Sequence, residues 1–218
     1  MALYDSADLL RRCVDYWNRP SDDEKFGTTF WYDRLTEAQA FVYGRVAAHC
    51  PQLLIAAPAV LTTSDSGVTY SFGTDVNGYA MTPLYVEVYA RINGRELLAT
   101  SFDGPGDFVI EATRVRGPNN KPFTYAPYAR IVAPPGEISA SSEPTFTPAM
   151  DRMLLVWKAL ELACGVESAR DPSYYGGQFG LLWGDCLTKW KTQYSTQWAS
   201  ELGGNYAWWH GLPDVSVG

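Results

Sequence analysis

Histidine is almost missing from this chain: His49 and His210 are the only two among 218 residues. Metal clusters and most acid–base dyads therefore lack members, and His49, at the end of an apolar helical pattern, reads as a favourable charge near a helix C-terminus. Cysteine is sparse as well. Cys13, Cys50, Cys164 and Cys186 stand far apart with no CxxC pair, each within an apolar helical pattern. That points to buried free thiols and assembly in a reducing cytoplasm. No G-x-S-x-G, H-E-x-x-H or G-x-G-x-x-G fingerprint occurs, and Gly73 to Gly78 lacks the Lys-Ser/Thr that a phosphate loop requires. Asp103 with Asp107, and Asp22-Asp23-Glu24, lack the order of a calcium loop and read as solvated turns.

Long apolar runs are absent too. Nothing approaches the roughly 18 residues of a membrane helix, and Met1 to Asp8 carries acids where a secretory signal carries bases, so neither a membrane span nor export by a visible signal is expected. A basic surplus is also lacking. The 17 Lys and Arg face 24 Asp and Glu, and the net charge of −7 divides as −2, −3 and −2 over residues 1–52, 53–145 and 146–218. No segment offers the basic face that phosphate neutralisation needs, so tight nucleic-acid binding is not expected; a conduit through which DNA slides is compatible with that charge.

What the chain does have is hydrophobic periodicity of two kinds, one flanking the other. Asp5 or Ser6 caps a helix from Ala7 to about Trp17, with Leu9, Leu10, Cys13, Val14 and Trp17 at three-four spacing and Asn18-Arg19-Pro20 as its stop. A second helix runs from about Thr29 to His49 on Trp31, Leu35, Ala38, Val42 and Val46, and Pro51 ends it. The two form an αα-hairpin. Leu53 to Pro58 then reads as an extended crossing into strand patterns at Val68–Phe72, Leu84–Ala90, Glu96–Ser101, Phe108–Arg116 and Tyr128–Val132, with Asn93-Gly94 suited to a type I′ turn. In the second of these, Leu84, Val86, Val88 and Ala90 face a core while Tyr85, Glu87, Tyr89 and Arg91 face water. Ala133 to Pro144 has the composition of an extended, solvated linker. Helical spacing resumes with Thr147 as a cap and Pro148 at the first position, Met150 to Ala163 apolar nearly all round, and Gly165 as a left-handed cap. A last helix extends from Asp171-Pro172 to about Leu202.

The expected fold is α+β: a bundle of about four helices, an antiparallel β-hairpin module inserted between helices 2 and 3, and an extended C-terminal tail. Residues 1–52 form the N-terminal helical hairpin, 53–145 the inserted module and linker, 146–202 the C-terminal helices and 203–218 the tail. Tyr206, Trp208, Trp209, His210 and Leu212 give that tail its character. Each Trp can bury about 150–250 Å², so the tail either folds back on its own bundle or docks on a partner subunit. Two hairpin tips, around Gly104, Pro105 and Asp107 and around Pro118, Asn119 and Asn120, are further candidate contacts. Tyr85, Tyr89, Tyr125 and Tyr128 support an alternative, a carbohydrate-binding or host-contact module built on strand aromatics. A small hydrolase with an unrecognised carboxylate pair is a remoter reading. No catalytic, cofactor or metal site is expected.

The helix Asp8-Leu9-Leu10-Arg11-Arg12, the helix Phe30-Trp31-Tyr32-Asp33-Arg34-Leu35-Thr36-Glu37-Ala38-Gln39-Ala40-Phe41-Val42, the aliphatic-proline exit, the β insertion and the closing helices together resemble the head-to-tail adaptor (head completion or connector) proteins of tailed bacteriophages. The likeness is architectural and covers most of the chain. It implies a structural protein of the virion neck, assembled in the host cytoplasm. It also implies a ring, commonly of twelve copies, that sits under the portal protein, receives tail or nozzle proteins, and lets DNA pass without specific binding. In such a protein a C-terminal arm reaches the portal, which here assigns Tyr206, Trp208 and Trp209 to that contact.

Overall fold

The computed structural model describes residues 5–19, 23–55, 59–63, 67–75, 78–92, 95–98, 109–117, 121–123, 127–142, 144–145, 151–167 and 170–201. Four helices make the frame: α1 (Ser6–Trp17), α2 (Thr28–His49), α3 (Met153–Cys164) and α4 (Pro172–Glu201). Asp5 opens α1 by accepting the Asp8 N–H at 2.7 Å, which satisfies one of the donors that a helix start leaves orphaned. Asn18, at φ 53°, closes it in the left-handed region that asparagine tolerates. The stripe Trp31, Leu35, Ala38, Val42 and Val46 is fully buried along α2. The most apolar helix, α3, lies in the middle, packed against α1, α2 and α4, with Leu154, Leu155, Val156, Ala159, Leu160 and Ala163 buried.

Trp17 seats one end of this core, with ring centroids 5.4 Å from Phe26, 5.5 Å from Trp31 and 6.1 Å from Tyr175. Burial of a side chain that size contributes about 4–6 kcal/mol before ordering is counted. A charged latch covers it. Arg170 lies 4.1 Å over the Trp17 ring and donates to the Trp17 carbonyl at 2.6 Å, while Glu167 accepts from Arg170 at 3.2 Å and from Arg19 at 2.5 Å. Lys25 donates to the Val166 carbonyl at 3.1 Å. The α1–α2 and α3–α4 connections are thereby tied together.

Between α2 and α3 the described residues form eight strands: β1 (Ala59–Val60), β2 (Thr62–Thr63), β3 (Thr69–Ser71), β4 (Tyr85–Ile92), β5 (Arg95–Leu98), β6 (Val109–Glu111), β7 (Arg114–Arg116) and β8 (Pro127–Val132). They form two antiparallel four-stranded sheets, ordered β1-β8-β4-β5 and β2-β3-β7-β6. Val88 and Ala129 from the first and Tyr70 and Val115 from the second share a core with Leu61, Phe72, Met81 and Phe123. The pairing of Ile92 with Arg95 leaves only Asn93 and Gly94 to connect β4 to β5. Gly117 follows β7 where the chain crowds itself: a Cβ there would sit 2.2 Å from the Lys121 carbonyl oxygen. The architecture is thus α+β, a helical bundle with an antiparallel module inserted after its second helix.

Several local expectations change. Phe108–Arg116 is not one strand. It folds at Ala112-Thr113 into the β6–β7 hairpin, where Glu111 accepts from both Arg114 and Arg116. That turn contains neither Gly nor Asn, the usual signals for one. Tyr85 and Glu87 do not face water. Tyr85 packs with Tyr43, Ala47 and Val132 against α2, and its hydroxyl donates to the buried Glu87 at 2.5 Å. From Tyr85 to Val88 both faces of β4 are therefore covered, one by the second sheet and one by the bundle. Leu53 belongs to a short 3-10 turn, Pro51–Leu53, rather than to an extended crossing.

Residues 133–145 are likewise no free linker. Gln39, fully buried on α2, donates to the Gly136 carbonyl at 2.6 Å and accepts the Thr145 N–H at 2.9 Å; Thr36 accepts the Ile138 N–H at 3.0 Å, and Ile138 itself is buried. The segment is a strap laid on α2. Beyond it, α3 begins at Met153 with Asp151 accepting the Met153 N–H at 2.9 Å, later than expected, and Thr147 and Pro148 lie outside the described residues. Gly165 follows α3 at φ −63°, a right-handed conformation, so its freedom at positive φ is not used.

Candidate contact surfaces

The residues singled out from the sequence all fall outside the described residues: Tyr206, Trp208, Trp209, His210 and Leu212 in the tail, Gly104, Pro105 and Asp107, and Pro118, Asn119 and Asn120. Their neighbours are nevertheless placed. Residues 99–108 join β5 to β6, the edge strands of the two sheets, and the tail follows Glu201 at the end of α4.

The helix that carries the tail is much longer than its partners. At 1.5 Å per residue, the 30 residues of α4 span about 45 Å, against about 33 Å for the 22 of α2 and about 18 Å for the 12 of α3. Its inward stripe, Tyr175, Phe179, Trp183, Cys186 and Trp190, is buried. Phe41 and Phe179 meet at 5.9 Å, with Lys158 4.0 Å over Phe41 and Arg45 5.5 Å over Trp183, so two cations flank the aromatic seam between α2 and α4. Lys158 also lies 3.1 Å from Glu161.

The outward face of α4 is unusual. Tyr174 is 59% and Leu181 71% exposed, and Gly177, Gly180 and Gly184 lie beside them. A Cβ added at any of these three glycines would meet nothing within 4 Å. Glycine in an exposed helix interior costs about 0.5–1 kcal/mol relative to alanine, and among the described residues no contact requires the bare backbone at these three positions. The sequence carried a trace of this face in the repeated glycines from Gly176 to Gly184, but their spacing reads equally well as a loosened helix start.

On the β module, the edge strand β6 exposes Val109 and Ile110. Of the sugar-platform tyrosines, Tyr85 packs on α2 and Tyr128 is half-buried, while the side chains of Tyr89 and Tyr125 lie outside the description. His49 ends α2 with its ring 6.0 Å from that of Trp183.

Chemistry is sparse among the described residues. No group of three or more His, Cys, Asp or Glu could hold a metal ion there. All four cysteines are buried and free, and burial pushes the Cys13 thiol well above its ordinary range, away from the reactive thiolate. The backbone N–H groups of Phe26 and Lys25 hold the Asp23 carboxyl below its usual range, and hydrogen bonds from Arg114 and Arg116 do the same for Glu111. Both are structural tethers at turns. No described helix is long and apolar enough to cross a membrane. No protein-family model matches the chain, and no curated protein sequence does.

Proposed function

We propose that this chain is a structural protein of the bacteriophage virion, a head-to-tail adaptor that forms a ring between the portal protein and the tail or nozzle proteins. Twelve copies is the number the resemblance implies. DNA passes through the ring without specific binding, in keeping with the net charge of −7.

One observation carries this reading most: the disparity between α4 and the helices it packs on. In this helix of about 45 Å, on a bundle whose other helices span about 33 Å or less, Trp190 is the last described buried position, and eleven further residues, about 16 Å, run on to Glu201 before Tyr206, Trp208 and Trp209 begin. A delivered aromatic segment suits capture by a second protein, here the portal, because large rings buried at a contact dominate its energy. No observation favours the carbohydrate-binding alternative, since Tyr85 is engaged with α2 and Glu87.

The test uses assembled portal rings and the full chain. Trp208→Ala with Trp209→Ala should abolish capture on portal while helix content by circular dichroism stays unchanged, and the wild-type chain should form rings visible by electron microscopy once portal is present. Capture that is indifferent to both substitutions removes the tail from the contact; a chain that never joins the portal ring removes the adaptor reading.

A further inference from the structure

The outward face of α4 carries bulk and emptiness at one interval. Tyr174 and Leu181 are seven residues apart, as are Gly177 and Gly184, so each pair spans about 10.5 Å along the axis. At about 100° per residue all four lie within an arc of roughly 80°. Two such helices laid antiparallel, with their centre level with Phe179, satisfy both pairs at once. Tyr174 of one copy falls opposite Gly184 of the other, and Leu181 falls opposite Gly177. The two-fold symmetry repeats both contacts, so four exposed side chains meet four positions where a Cβ is missing.

We propose that a second copy of this chain covers this face, α4 against α4, antiparallel about a two-fold axis. The exposed positions from Tyr174 to Gly184 carry no charge, which favours an apolar partner surface over a charged one. At the rim, Lys189 of one copy lies nearly level with Asp171 of the other and on the same flank, both exposed, with Asp185 one turn away. The tail's tryptophans do not span this face: Trp209, eight residues past Glu201, comes level with Leu181, about 30 Å back along the helix, only when fully extended at about 29 Å, and Tyr174 lies beyond it at about 40 Å.

The contact is small. Eleven residues of helix, about 16 Å long, offer on the order of 250 Å² per copy, a third of the ~800 Å² that a standard stable interface buries. The pair is therefore weak, and it differs from a ring contact in kind, because a cyclic ring is built only from head-to-tail interfaces. It is a form of the free chain, independent of the adaptor reading.

Sedimentation equilibrium of the full chain alone, from about 10 µM to about 1 mM, should show the mean mass rising from 24.2 kDa toward twice that value. Gly177→Ala with Gly184→Ala should weaken association at least about tenfold by filling the gaps, while the thermal midpoint of the single chain holds or rises, since alanine is the better helix former. Mild oxidation should link copies of the Gly177→Cys, Leu181→Cys chain into a covalent dimer, and should leave the mismatched Leu181→Cys, Gly184→Cys chain unlinked. The proposal is overturned by a chain that stays monomeric throughout, by association that ignores the alanine pair, or by equal linking of both cysteine pairs. A chain that is monomeric alone yet assembles on portal would overturn the two-fold pair and support the adaptor.

Discussion

Gln39 and Gly136, 97 positions apart, are joined by a 2.6 Å hydrogen bond from a fully buried side-chain amide to a backbone carbonyl. The other end of the same amide accepts from Thr145. One side chain thus fastens both ends of the strap that brings the chain back from the β module. Gln39→Leu keeps the volume and leaves both strap groups without this partner, so it should destabilise the protein by about 2–4 kcal/mol. Gln39→Glu should also destabilise, because a carboxylate cannot donate to Gly136. Urea unfolding measures both, and hydrogen exchange at Gly136 to Thr145 locates the loss. A Gln39→Leu midpoint equal to the wild type would show that the strap is held by something else.

The latch over Trp17 depends on the flat, forked shape of Arg170, which stacks on the ring and donates to the Trp17 carbonyl and Glu167 together. Lysine keeps the charge but cannot make all three contacts. Arg170→Lys should cost about 1–2 kcal/mol, lowering the thermal midpoint by roughly 2–4 °C per kcal/mol for a chain of this size. An unchanged midpoint would reduce the latch to surface decoration.

Alkaline pH should loosen the junction between bundle and β module. Burial pushes the Tyr43 phenol up to about 12, and burial together with the hydrogen bond to Glu87 raises Tyr85 further. The folded state favours the neutral phenols, so their contribution is whole below the ordinary value of 10 and is lost as pH rises through about 12. Near-UV circular dichroism should therefore fall in step with phenolate absorbance in that window. Tyr43→Phe should move the transition to higher pH. Ionisation of every tyrosine near the ordinary value, with the spectrum unchanged, would contradict it.

The thiols give a simpler check. Cys13, Cys50, Cys164 and Cys186 are buried, and burial raises each of them. A thiol reagent should label the native chain slowly and all four cysteines at once in denaturant. Rapid native labelling at Cys13 would mean that the end of the bundle opens readily.

The helices were legible because burial on one side leaves a three-four stripe, and Leu9, Trp31, Leu154 and Trp183 lie on such stripes. Strand positions were legible wherever a turn signal stood beside them, as Asn93-Gly94 does. What escaped detection was long-range. Nothing near Glu87 in sequence announces that α2 will cover its face, and the partners of Gln39 lie about a hundred residues away. The Ala112-Thr113 turn escaped because its residues are ordinary strand formers or helix formers, and the pairing of Glu111 with two arginines does the work that a glycine does elsewhere. The face of α4 was hidden by an ambiguity that local spacing cannot resolve, since a helix rich in glycine looks the same whether the gaps are filled by a neighbour or not.

Ala59 of β1 pairs with Ala129 of β8, so the strand on which the chain leaves the bundle and the strand on which it comes back are adjacent. Paired strands sit about 4.8 Å apart, a distance that a handful of residues can bridge. The eight-stranded insert is therefore a cassette with a single narrow doorway. Trimming it to a short loop, or exchanging it for another domain whose ends are equally close, asks of the four helices that the strap stay seated on α2 and that Tyr43 and Ala47, which pack on Tyr85 and Val132, be covered again.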